Sequence, residues 1–148
     1  MAEQNYYTED TLRQYLNRIK HYPNLSAQEE VSLGRSVQKG LQTTQLANEL
    51  LGESDTSIPD EVLMEMQSVV EEGRRAHETM YLANLRSVVS LAQKTRRDLD
   101  ILDKIQEGNI ALSGAIDDYN PALGFRFSTF SHSRIKPAIY RTKAAKTA

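Results

Sequence analysis

Two short segments carry residue types whose spacing could do chemistry, and in both the chemistry is recognition rather than bond making. The first is LDKIQEGN, residues 102–109, where Asp103, Gln106, Glu107 and Asn109 are polar, close together and flanked by apolar residues. On a helix, Asp103, Gln106 and Glu107 fall at i, i+3 and i+4 and share one face. Such a face can meet a basic partner through hydrogen bonds and ion pairs. An ordinary solvated helix face has the same spacing, and spacing alone favours that plainer reading. The second is YNPALGFRFSTFSHSRIKPAIYR, residues 119–141, where Phe125, Phe127, Phe130 and Tyr140 are interleaved with Arg126, Arg134, Lys136 and Arg141. Rings can stack on unpaired bases while cations follow the phosphates of a single strand. All three phenylalanines of the chain lie here, and some of these rings are equally suited to a core.

Nothing else in the chain motivates catalysis. His21, His77 and His132 have no metal-ligand spacing, no glycine loop is built to cradle phosphate, and no serine sits in a nucleophile elbow. The absence of cysteine excludes disulfides, thiolate metal sites and cysteine nucleophiles. Carboxylate pairs such as Asp117-Asp118 and Glu71-Glu72 read as solvated helix faces. The expectation is a protein that is not an enzyme and uses no cofactor and no metal. Charge is divided unevenly. Residues 1–118 hold 12 Lys and Arg against all 20 Asp and Glu, whereas residues 119–148 hold 6 Lys and Arg and no acid. A basic end on an acidic body suggests one surface for a polyanion and another for something else; a solvated basic tail gives the same count.

The elements that must position these segments are helices. Leu12, Tyr15, Leu16 and Ile19 mark a helix from about Glu9 to Tyr22, stopped by Pro23. Ser26 opens the next, with Glu29 completing a capping box, and Gly34 and Gly40 weaken it. Residues 52–60 read as a loop. Glu61 to Gly73 is helical and acidic, and Arg74 to Thr95 carries a broad apolar face. A further helix spans Ile101 to Tyr119, with Gly108 a possible kink. Asn120-Pro121 and Gly124 signal a turn. Ser128 or Thr129 can cap a last helix from about Phe130 to Ala144, which Pro137 should bend or interrupt. No β pattern and no internal repeat is present, and few Gly and Pro are available for turns, so the class is all-α. No apolar run is long enough for a membrane span, so the cytoplasm is the expected compartment.

Residues 81–95 (YLANLRSVVSLAQKT), 99–121 (LDILDKIQEGNIALSGAIDDYNP) and 124–131 (GFRFSTFS) resemble successive parts of the second domain of bacterial sigma-70 family factors. Residues 10–40 resemble the segment that precedes that domain. The resemblance implies a compact sigma-factor second-domain fold in three parts. Residues 1–40 are the preceding helical segment, 41–75 a variable spacer, and 76–148 the polymerase- and promoter-binding helices. It also implies that Asp103, Gln106, Glu107 and Asn109 bind the clamp coiled coil of the largest subunit of bacterial core RNA polymerase. Phe125, Phe127, Thr129 and Phe130 would contact melted non-template strand of a minus-ten promoter element, Phe130 stacking at the first flipped adenine. Arg126, Arg134, Lys136, Tyr140 and Arg141, the rest of the interleaved strip, are expected to complete the DNA surface. The chain departs from the family where a wedge of two tryptophans stands: Ser133 and Arg134 occupy those positions, and Pro137 replaces a base-reading glutamine. The short length and missing wedge are similar to the late-transcription sigma factors of T4-like bacteriophages, which implies an AT-rich element, phage co-activator proteins and a bacterial host cytoplasm. The ending KAAKTA differs from the hydrophobic clamp-binding tail of that group. A regulator or decoy that occupies the clamp without initiating is the alternative.

Overall fold

A computed structural model of the chain describes residues 2–53 and 57–143, and the side chains from residue 8 onward. The expected all-α class is what it shows. Among the described residues six α-helices follow one another: α1 (Ala2–Ile19), α2 (Ala27–Leu51), α3 (Asp60–Ala83), α4 (Leu85–Lys94), α5 (Ile101–Asp118) and α6 (Phe127–Tyr140). A single 3-10 turn, Pro121–Leu123, joins α5 to α6, and no strand occurs among the described residues. Among the described residues, no helix is long and apolar enough to cross a membrane.

The long antiparallel pair α2–α3 packs along one side of a compact group formed by α4, α5 and α6, and α1 closes the other side. The core is a continuous set from Ile19 and Val37 through Met80, Val88, Leu112 and Ile116 to Phe127, Ile135 and Ile139. Leu12, Tyr15 and Leu16, the stripe read from the sequence, pack onto it from α1. Helix α1 ends at Ile19 rather than at Tyr22. The guanidinium of Arg86, on α4, donates to the carbonyls of Ile19 and Lys20 and to Asn24, taking up acceptors that another turn of helix would have used.

The capping box at Ser26 and Glu29 is present in both directions. The expected helices 61–73 and 74–95 are divided elsewhere. α3 runs straight through Gly73, and the break falls at Asn84. There the Asn84 side chain takes the Met80 carbonyl at 2.6 Å, competing with the helix for its own acceptor. The expected boundaries at 40/41 and 75/76 lie inside α2 and α3, and residues 41–75 include the far half of their hairpin. Gly108 does not kink α5, which is continuous; its missing side chain makes room for Val88. α6 also continues through Pro137. Pro137 and Ser133 are both exposed, so water can satisfy the Ser133 carbonyl that lost its amide partner. The expected end of this helix at Ala144 lies outside the described residues, as does the terminal segment 144–148.

A buried lysine ties α4 to α5. Lys104 is 3% exposed, and its ammonium donates to the carbonyls of Ala92 and Thr95 at 2.6 and 2.7 Å, capping the end of α4. Burial pushes this ammonium below the usual lysine range.

Glycine acts at the α2–α3 crossing through close approach. A Cβ on Gly73 would lie 2.9 Å from the Ser36 carbonyl oxygen and 3.0 Å from the Gly40 Cα, both backbone atoms that cannot step aside. Gly114, also within a helix, has nothing within 4 Å of where its Cβ would stand. The same substitution should therefore act in opposite directions. Gly73→Ala should destabilise by about 1–3 kcal/mol through overpacking. Gly114→Ala should stabilise by about 0.5–1 kcal/mol through helix propensity alone. Urea unfolding of the two variants beside the parent measures both.

Candidate nucleic-acid and polymerase interface

α5 and α6 pack side by side, running in opposite directions, and carry both constellations. The register of α6 separates its residues cleanly. Phe127, Ser131, Ile135 and Ile139 recur every four residues and are buried. Thr129, Lys136 and Tyr140 form an exposed row together with His132, and Phe130 and Arg134 form the adjacent row. Phe127 is fully buried and meets Tyr119 edge to face at 5.1 Å between ring centroids. This corrects the expectation that its ring contacts a base, since no face of it is open. Phe125, in contrast, is 63% exposed, Tyr140 is half exposed and Phe130 is half-buried. The rings of the second constellation thus divide into one core residue and three at the surface.

The start of α6 is also not as expected. The helix begins at Phe127, ahead of Ser128 and Thr129, and no side chain of its own turn caps it. Its cap comes from α2. The carboxylate of Glu30, 6% exposed, accepts the Phe127 amide at 3.1 Å and the Nε and Nη2 of Arg126 at 3.0 and 3.1 Å. A carboxylate at a helix N-terminus is favoured by the helix dipole and takes up a free amide. Arg126, expected to contact DNA, is therefore already engaged by a buried anion, although its side chain stays 55% exposed. Close by, the Tyr119 hydroxyl donates to the Phe125 carbonyl at 2.7 Å. Burial, reinforced by Glu30, raises this phenol above its ordinary range and keeps it a donor. The Gln38 amide on α2 donates to the carbonyls of Asp117 and Tyr119. The α5–α6 junction is thus clamped by α2 at several points.

On α5, Asp103, Gln106 and Glu107 share one face, and neither carboxylate has an ion-pair partner among the described residues. With Arg141, Thr142 and Lys143, just beyond α6, they line a groove of about 400 Å³. Arg141 therefore lies beside the acidic face of α5, not beside Phe125 and Phe130. Asn109 is turned away from the acidic face. Its amide nitrogen donates to the Tyr15 hydroxyl of α1 at 3.3 Å, and its buried carbonyl oxygen has no partner among the described residues. Asn109 and Gln106 both border a wider groove of about 720 Å³ between α1, α3 and α5, floored in part by Tyr15, Tyr81 and Ile105. No group of His, Asp and Glu able to hold a metal is formed among the described residues.

Residues that sequence reasoning passed over hold this surface together. Glu30 is the foremost. It falls in register with Gly34 and Val37 on the buried stripe of α2, and a charge in such a stripe is the signal that could have found it. Lys104 falls likewise in register with Gly108 and Leu112 on α5.

The comparisons with known proteins agree with this architecture. Residues 10–43 match the family model Sigma-70 factor, region 1.2, and residues 80–147 match Sigma-70 region 2. Together they cover more than half of the chain, which belongs to the sigma-70 family. Among its relatives, the RNA polymerase sigma factor SigA4 of Synechococcus elongatus is 40% identical over 136 residues, 91% of this chain and 40% of that protein. The RNA polymerase sigma factor SigA2 of the same organism is 35% identical over 150 residues, 95% of this chain and 47% of that protein. The RNA polymerase principal sigma factor HrdD of Streptomyces griseus is 35% identical over 136 residues, 91% of this chain and 40% of that protein. The chain spans less than half the length of the curated relatives it matches.

The cap on α6 gives a direct test of how the surface is built. Glu30→Ala should cost about 2–3 kcal/mol, the loss of a helix cap together with charge-assisted hydrogen bonds. Denaturant unfolding reads the loss. Hydrogen exchange should show the Phe127 amide, now without an acceptor, among the most accelerated.

Proposed function

We propose that this chain is a minimal sigma factor. It binds bacterial core RNA polymerase through α5 and directs recognition and opening of promoter DNA through α6. The observation that carries this reading is the division of α6 into a fully buried face and two exposed rows of rings and cations, set against unpaired carboxylates on α5. Asp103, Gln106 and Glu107 meet the clamp coiled coil of the largest subunit, with Asn109 at the edge of that contact toward α1. Phe125, Thr129 and Phe130 receive melted non-template strand at a minus-ten-type element, and Lys136, Tyr140 and Arg134 line its path. Residues 1–40 brace this surface, residues 41–75 are spacer, and residues 76–148 make both contacts.

Opening begins when a base leaves the stack, which costs a few kcal/mol. Ser133 and Arg134 provide no ring to wedge the fork. The driving force then rests on Phe130 and Phe125, at about 1–3 kcal/mol for each stacked base. Such a factor needs an AT-rich element that unpairs easily, and help from co-activator proteins or negative supercoiling. This is the economy of a late-transcription factor of a T4-like phage acting in the cytoplasm of its host. The second reading is a decoy that occupies the clamp without initiating, and the absent wedge at Ser133 and Arg134 favours it.

Two variants test the halves of the proposal. Glu107→Lys places a cation where the basic clamp surface would dock, a change worth several kcal/mol in a desolvated contact. It should abolish co-purification with core polymerase while circular dichroism stays unchanged; retained binding would remove α5 from the interface. Phe130→Ala should sharply reduce run-off transcription from a duplex AT-rich promoter and reduce it less from a premelted bubble. Parental chain that binds polymerase but transcribes neither template would establish the decoy.

A further inference from the structure

We infer that Arg134 and Asp118 form a latch over Phe130 that discriminates melted strand from duplex, an inference that rests on the strand-capturing role proposed for α6. Phe130 is half-buried. Its core side is taken by Tyr119, itself 2% exposed, at 6.0 Å between centroids and inclined by 40°. Its solvent side is taken by Arg134, whose guanidinium carbon stands over the ring at 5.1 Å from the centroid. Arg134 lies one turn beyond Phe130 on α6, so the two side chains stack along the same row. The guanidinium is held from its other end, where Nη1 donates to the Asp118 carboxylate at 3.0 Å. Both charged side chains remain about half exposed, so neither is trapped in the core.

A base cannot stack on a ring face that a guanidinium covers. For Phe130 to receive one, Arg134 must leave both the ring and Asp118. An arriving strand supplies what each loses: its phosphate replaces the carboxylate as the anion for Arg134, and its unpaired base replaces the guanidinium on the ring. Duplex DNA offers the phosphate alone, because its bases are already stacked. The latch thus opens with full compensation only when phosphate and free base arrive together. The side chain that stands in the place of a wedge ring acts here as a cover whose release reports that a strand is melted.

The test measures how much of strand binding depends on the base itself. A fluorescent AT-rich single-stranded oligonucleotide, and the same strand abasic at the stacked adenine, are titrated with the full chain, alone and with bacterial core RNA polymerase. Asp118→Asn releases the latch and keeps Arg134. Its affinity for the intact strand should rise about twofold to fivefold more than for the abasic strand, the scale of one exposed cation–π contact. Glu65→Gln, an equal change of charge on the α2–α3 hairpin, should raise both affinities alike. Arg134→Ala removes cover and phosphate partner together, so both affinities should fall while the ratio of intact to abasic rises. Equal gains on the two strands for Asp118→Asn, with an unchanged ratio for Arg134→Ala, would overturn the latch. Phe130→Ala separates this from the underlying reading. If it abolishes base dependence, Phe130 receives the base whatever the fate of the latch. If base dependence survives, or no strand binds under either condition, strand capture by Phe130 fails and the latch with it.

Discussion

A carboxylate as buried as Glu30 persists only where donors surround it, because an unpaired buried charge costs several kcal/mol. Here the donors are the Arg126 guanidinium and the first amide of α6. The requirement therefore fixes where α6 begins and the angle at which it leaves the preceding turn. From that start the four-residue register of the helix follows, and the register decides which rings are core and which are surface. Phe127 goes inward against Tyr119, and Phe130 and Thr129 come to the outside. Tyr119 completes the junction by holding the Phe125 carbonyl, which leaves the Phe125 ring exposed at the head of the turn. The first segment of the chain thus acts through α2 on the far side of the sequence. Residues 10–40 carry no part of the exposed rows of α6, yet one of their side chains sets the position of every residue in them.

What could be read in the sequence was local. The Ser26–Glu29 box closes over three residues, the Leu12, Tyr15 and Leu16 stripe over one helix, and the Asn120-Pro121 turn over a pair. Each appears where it was expected. What could not be read lay between distant positions. The cap of α6 spans residues 30 to 127, and without it Ser128 and Thr129 were the only visible candidates. Those candidates put the helix start near Phe130, three residues after the observed Phe127, and a helix starting there has no register that marks Phe127 as core. The end of α1 depends likewise on Arg86, and the break at Asn84 on competition for one carbonyl. In the candidate site the residue types were legible and their grouping was not. Asn109 lies at i+6 from Asp103, too far round the helix to share its face. Arg141 comes beside α5 because α6 runs antiparallel to it.

The same antiparallel pairing gives the two ends of the α5–α6 unit different electrostatics from similar residues. At the Tyr119 end, Asp118 and Arg134 are in contact at 3.0 Å, so carboxylate and cation satisfy each other. At the opposite end, Asp103 and Glu107 share a groove with Arg141 and Lys143 without forming an ion pair. Side chains that do not neutralise one another stay with water, and an exposed ion pair would in any case add little to folding. The acids of α5 and the cations of α6 and the residues just after it are therefore not separate regions in space. They face each other along adjacent helices. At the Tyr119 end they are closed onto each other over an aromatic ring, and at the other end they stand apart across a groove.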